Sequence, residues 1–161
     1  RARAALDDAH SGVRAAAALC LGHFGDRSGE AILVALAAGT HPGATLEDEQ
    51  QAIFLVGELA LGAASAALAR RAFGWFRRDP LAFEARVALA RLGDARAAAS
   101  ILDGLRARSY RKRTLAAAAA GRARLEAARP ALLALAEQPD RAEPAVVRDA
   151  LDRLDGRAPK S

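Results

Sequence analysis

A small residue followed eleven positions later by a large apolar one recurs along this chain of 161 residues. Gly22 leads to Leu33, Gly57 to Leu68, Ala90 to Ile101 and Gly121 to Leu132. A fifth start stands at Gly156, where Val147-Arg148 lies nine residues ahead, as Val13-Arg14 lies ahead of Gly22. The starts are 35, 33, 31 and 35 residues apart. A period of this length is one pair of helices repeated, too small to bury its own apolar face and so obliged to stack on its neighbours. The clearest copy is Val13 to Leu33, VRAAAALCLGHFGDRSGEAIL. It predicts an Ala-rich helix to about Gly22, a tight turn at Gly25-Asp26, and a second helix carrying Ile32, Leu33 and Leu36.

Composition agrees with helices that approach closely. Hydrophobic residues are 52% of the chain but aromatics only 4%, so the core is Ala with Leu spacers. Ala, Leu, Arg and Glu favour the helix, while Gly and Pro fall at intervals as breaks. The chain is long enough for one domain of four to five short repeats. No run of 18 or more apolar residues exists, so no membrane-spanning helix is expected.

Taken in order, Arg1 to Leu6 reads as the tail of an incomplete hairpin, and repeats follow at about 10–40, 44–76, 79–108, 109–138 and 140–158. The stretch LDDAHSGVRAAAALCLGHFGD carries Leu-x-Asp, a short turn, Val-Arg, an Ala-rich helix, Leu-Gly and then Gly-Asp. The positions are Leu6, Asp8, Val13, Arg14, Leu21, Gly22, Gly25 and Asp26. This pattern resembles the HEAT-repeat family, particularly the short bacterial type also found in phycobilisome lyase subunits. The match is full in this repeat and partial later, where ARLGDARAAASIL keeps Gly93-Asp94. The resemblance implies an all-α chain, a right-handed α-solenoid of about four to five stacked helical hairpins in a single domain at 1–161. It specifies a fold and not an activity.

Local signals place the later helices. Thr45-Leu-Glu-Asp48 is a capping-box start with acids in the first turn, which complement the helix dipole rather than form a catalytic carboxylate pair. Gly62 breaks that repeat, and its second helix is expected over about Ala64 to Phe73. Asp79-Pro80 reads as an N-cap carboxylate and first-turn proline opening the third repeat. The fourth repeat is expected to have a very small first helix, Leu115 to Gly121, and a second one from about Arg129 onward, with Pro130 near its start. The last amphipathic helix is expected over Ala145 to Leu154.

Candidates for chemistry are few. Cys20 and His23 are three apart, with His10 upstream, but zinc needs three or four convergent ligands, and Cys20 reads as a small core residue. No G-x-S-x-G elbow surrounds any serine, and the glycines are spread one or two per repeat rather than gathered in a phosphate loop. Two enzyme classes of the HEAT-like type carry His-Glu pairs (di-iron hydroxylases) or several tryptophans and an aspartate (alkylpurine DNA glycosylases). This chain has no His-Glu pair and one tryptophan, so neither carries over. Catalytic, cofactor and metal residues are all expected to be none.

What stands out is a basic and aromatic ridge. Trp75, Phe76, Arg77 and Arg78 lie between repeats two and three; Arg106, Arg108, Tyr110, Arg111, Lys112 and Arg113 surround the next turn of the same kind. In a solenoid equivalent turns fall on one edge, about 10 Å apart, and the two clusters would merge. Arginine forks beside an aromatic face suit carboxylate, phosphate or a protein hot spot; the competing reading has Trp75 and Phe76 covering the hairpin end with the arginines merely solvated. A rival location, the face lined by second helices, offers Glu30, Arg70, Arg71, Arg96 and Arg129.

The net charge of +5, nearly all from arginine, admits an acidic partner or nucleic acid, and equally a GC-rich coding sequence. The expected function is a non-catalytic protein-interaction scaffold with an unidentified protein partner. A nucleic-acid-binding module using the basic edge is the alternative, and an accessory subunit of a lyase-type enzyme the second. One cysteine excludes an internal disulfide and fits the cytoplasm. The chain has no Met and starts inside an apparent helix, so a fragment or processed chain is expected, able to self-associate through its incomplete N-terminal repeat.

Overall fold

The computed structural model of the chain describes residues 1–74 and 79–157. Among these residues there are nine α-helices and no strand. None of the helices is long and apolar enough to cross a membrane. The chain divides into two compact units, Arg1–Leu92 and Gly93–Ser161.

The first unit holds α1 (Ser11–His23), α2 (Glu30–Ala37), α3 (Leu46–Glu58), α4 (Ser65–Phe73) and α5 (Ala82–Arg91). α1 is entered through a turn that Arg14 holds, its Nη1 donating to the Asp8 and Ala9 carbonyls at 2.6 and 3.0 Å. The helix ends as the sequence predicts. Gly25 takes φ 77°, and the N–H groups of Gly25 and Asp26 return to the carbonyls of Gly22 and Leu21, satisfying the last turn. The Asp26 carboxylate then accepts from the Ser28 N–H and hydroxyl and opens the next turn. α3 begins with the expected capping box: Asp48 N–H donates to Thr45 Oγ1 at 3.1 Å and Thr45 N–H to Asp48 Oδ2 at 2.9 Å.

Inside this unit α1 packs on α2 and α3, α2 on α3, α3 on α5 and α4 on α5. The first helices of consecutive repeats are therefore neighbours, and each second helix lies against the first helix that follows it. The recurring small residue stands where the neighbouring helix comes into contact. Gly22 is buried between Leu33, its partner eleven residues on, and Leu55 of α3; a Cβ there would stand 3.3 and 2.9 Å from their Cδ1 atoms. At Gly57 a Cβ would stand 3.4 Å from the Ala88 Cα of α5. Leu33, Leu68, Ile101 and Leu132, the large members of the pattern, are all buried.

Three expectations need correction in this unit. Cys20 is exposed on α1 and not a core residue; the buried face of that helix is Ala15, Ala17, Ala18, Leu19 and Leu21. Asp79 is not the N-cap of α5, which starts at Ala82 after Leu81. The Asp79 carboxylate does accept the Leu81 N–H, but it also faces Arg71 of α4. Arg71, in turn, is no surface cation. Its side chain is 10% exposed, with Nη2 on Glu49 at 2.7 Å, Nε on Asp79 at 2.8 Å and Nη1 on the Ala37 carbonyl at 3.0 Å, so that one guanidinium ties α2, α3, α4 and the approach to α5.

The second unit holds α6 (Ala95–Leu105), α7 (Tyr110–Ala123), α8 (Arg129–Ala136) and α9 (Pro144–Leu154). α6 packs on α7, α7 on α9 and α8 on α9. The same small-residue contact recurs, more tightly: a Cβ on Gly121 would lie 2.6 Å from the Cα of Ala150. Pro130 sits in the first turn of α8, as expected. The very small first helix expected at Leu115 to Gly121 is instead a helix of 14 residues that opens at Tyr110.

Candidate partner-binding surface

The second unit carries the whole charge excess. Residues 1–92 hold ten basic and ten acidic side chains, whereas 93–161 hold fourteen and nine. Between 93 and 125, the span of α6 and α7, the count is eight to two. One of those two acids, Asp94, is spent locally, its carboxylate accepting the Ala97 N–H as the N-cap of α6.

The connection from α6 to α7 is Arg106 to Ser109, and Ser109 caps α7 by accepting the Lys112 N–H. Tyr110 and Arg111 therefore occupy the first turn of a helix, not a turn between helices. Arg113 fixes this corner. It is 6% exposed, its Nε donating to the Arg141 carbonyl at 2.5 Å and its Nη1 to the Ala107 carbonyl at 2.6 Å. Thr114 accepts the Glu143 N–H, and the Tyr110 hydroxyl donates to Glu143 Oε2 at 3.1 Å. Desolvation, then Glu143, pushes the Tyr110 hydroxyl above its usual pKa. Arg113 and Tyr110 are thus engaged in holding the corner to the segment before α9.

The remaining cations of the corner are not engaged. Arg106, Arg108, Arg111 and Lys112 are exposed, and no carboxylate among the described residues pairs with any of them. Three cations stand in the first turn of α7 with no acid among them. A positive side chain beside the positive end of a helix dipole is unfavourable by about 0.3–1 kcal/mol. α3 shows the arrangement that folding favours, with Glu47, Asp48 and Glu49 in that place. Of the α7 cations, Arg111 and Lys112 therefore have no folding rationale in the unit that carries them.

The sequence does not reveal one further part of this surface. Leu115 is 47% exposed, on the outward side of α7 and in line with Arg111, Ala118 and Arg122, while Ala116, Ala117, Ala119, Ala120 and Gly121 face inward. The 4-3-4 spacing was its signal, hidden because Leu115 is followed by an unbroken run of small residues from Ala116 to Gly121.

Trp75, Phe76, Arg77 and Arg78, the other half of the expected ridge, lie outside the described residues. The rival set is largely committed elsewhere: Arg71 is bound as above, and Arg129 pairs with Glu126 and Asp155 at 3.0 and 2.7 Å. A cleft of about 420 Å³ between α8 and α9 is lined by Leu133, Leu151 and charged residues, but Arg129, Arg157, Asp152 and Asp155 there pair with one another. No group of three or more His, Cys, Asp or Glu side chains is placed to hold a metal among the described residues.

No protein-family model matches the chain, and no curated protein is similar enough in sequence to match it.

Proposed function

We propose that this chain is a non-catalytic protein-interaction scaffold: a HEAT-like, right-handed array of helical hairpins that works in the cytoplasm and holds a protein partner through the surface around the start of α7. The observation that carries the reading is the group of four exposed cations, Arg106, Arg108, Arg111 and Lys112, unpaired among the described residues, of which Arg111 and Lys112 stand against the dipole of their own helix. Arginine at a surface of this kind is suited to bidentate pairing with carboxylates and to hot-spot contacts.

Support for the array comes from the roles of its motif residues. Arg14 closes the entry turn, Gly22 admits the neighbouring helix, Gly25 reverses the chain and Asp26 opens the next turn. These are the positions that a stacked repeat must keep whatever it binds. Fold alone guarantees no function, so the binding reading rests on the cations.

The test is affinity capture with the wild-type chain and an Arg106→Ala/Arg108→Ala/Arg111→Ala variant, washed at low salt and at about 0.5 M, where exposed charges are strongly screened. A protein kept by wild type through the high-salt wash, and lost by the variant, is the expected result. Recovery of no protein at either salt would defeat the scaffold reading. The eight-to-two charge ratio of α6 and α7 favours one second reading, nucleic acid. Four phosphate contacts would make log K fall with log salt at a slope of about −3 to −4.

A further inference from the structure

Resting on the scaffold reading, we propose that the outer face of α7 is a docking surface for an acidic, amphipathic helix of the protein partner. The face is built from Arg111, Leu115, Ala118 and Arg122, spaced by four, three and four residues, the interval at which one helix presents a continuous seam to another. It runs for about 16 Å, three turns of helix. At its centre Leu115 is half in solvent and Ala118 is small, a combination that lets a partner helix approach closely and bury an apolar contact. At its N-terminal end the seam joins Arg108 and Lys112, which no carboxylate of the described residues neutralises.

Each feature narrows the occupant. Arg108, Arg111 and Lys112, which no carboxylate among the described residues pairs with, call for carboxylates. The apolar middle requires side chains to bury there, which a purely acidic, extended chain does not supply. A nucleic-acid strand presents a charge about every 3.4 Å and would set phosphates against Leu115 and Ala118. An amphipathic helix with apolar residues at i, i+3 and i+4 and acids on its flanks meets both demands, and helix-on-face recognition is a recurrent mode of protein binding.

The experiment measures fluorescence anisotropy of three labelled probes titrated with the whole chain. The first is a synthetic helix of about 18 residues, long enough to be helical, with leucines on one face and glutamates elsewhere. The second is the same composition scrambled, and the third an oligothymidine of equal charge. Wild type should bind the amphipathic probe about tenfold more tightly than the scrambled one. Leu115→Asp and, separately, Arg108→Glu/Arg111→Glu should each weaken it by about tenfold or more. Leu133→Asp, an equally exposed leucine on α8, should leave it unchanged, and circular dichroism should show wild-type helicity for all variants.

Equal binding of the two peptides, no binding of either, or indifference to Leu115→Asp would overturn the proposal. Tighter binding of oligothymidine, insensitive to Leu115→Asp, would replace it with a nucleic-acid surface. The two readings fail separately: if a captured protein partner is still held at high salt by Leu115→Asp, the scaffold stands and only the α7 site is wrong.

Discussion

Replacing Gly121 with alanine tests the packing logic of the repeat most directly. The new Cβ would lie 2.6 Å from the Ala150 Cα and 2.9 Å from its Cβ. An ordinary carbon contact is about 3.5–4.0 Å, so α7 and α9 must part by about 1 Å along a seam that buries Ala117, Ala120, Val147 and Ala150. Overpacking costs about 1–3 kcal/mol, and an obstacle made of backbone belongs at the upper end. The helix itself gains at most about 1 kcal/mol from losing a glycine. The net expectation is a loss of about 2 kcal/mol, read by urea denaturation followed by circular dichroism. Gly22→Ala is the built-in comparison. It meets only the far ends of Leu55 and Leu33, which can rotate away, and should stay within about 1 kcal/mol of wild type. Were Gly121→Ala as stable as wild type, or Gly22→Ala equally damaging, the backbone approach of α9 would not be what makes Gly121 obligatory.

Three other outcomes follow from the same contacts. Arg71→Met should destabilise the chain by about 2 kcal/mol, below the 3–5 typical of a fully buried pair because Glu49 and Asp79 keep some solvent access; urea denaturation reads this. Asp26 is held at about 2, below its ordinary 3.8, first by the Ser28 hydroxyl and then by the Ser28 N–H and Arg3. Its folded-state pKa is depressed, so its contribution is complete above pH 4 and vanishes as pH falls from about 4 through about 2; Asp26→Asn should flatten that part of the acid-unfolding curve. Cys20, exposed on α1, should be alkylated in the native protein at a rate within about tenfold of a free thiol, whereas a buried cysteine would be protected until unfolding.

The relation between sequence and structure divides along contact range. A Thr-x-x-Asp start, a Gly-Asp turn and a proline one residue inside a helix act over four or five positions, and all three stand where the sequence puts them, at Thr45, Gly25 and Pro130. The small-residue period is also legible, because a helix that must touch its neighbour at one place needs a missing side chain at that place. Gly22, Gly57 and Gly121 meet the next repeat there.

What bridges 20 to 35 residues was not legible. Arg71 looked like one of many surface arginines until folding set it between Glu49, 22 positions back, and the Ala37 carbonyl, 34 back. Asp79 has a cap's sequence, but this arginine also takes its carboxylate, and the helix begins later. Cys20 sits among alanines and leucines in sequence, but at 3.6 residues per turn it falls on the outward side. The basic cluster follows the same rule: Arg106 to Arg113 reads as one run, and only the tertiary fold divides it. Arg113 turns inward to two carbonyls, while Arg111 turns outward in line with Leu115. Composition and period determine that this chain is helical and where its helices touch, because those depend on residue size and local hydrogen bonding. Which charges are consumed by the fold and which remain for a partner is decided only when distant segments meet, because a guanidinium takes whichever carboxylate or carbonyl the packing brings within about 3 Å.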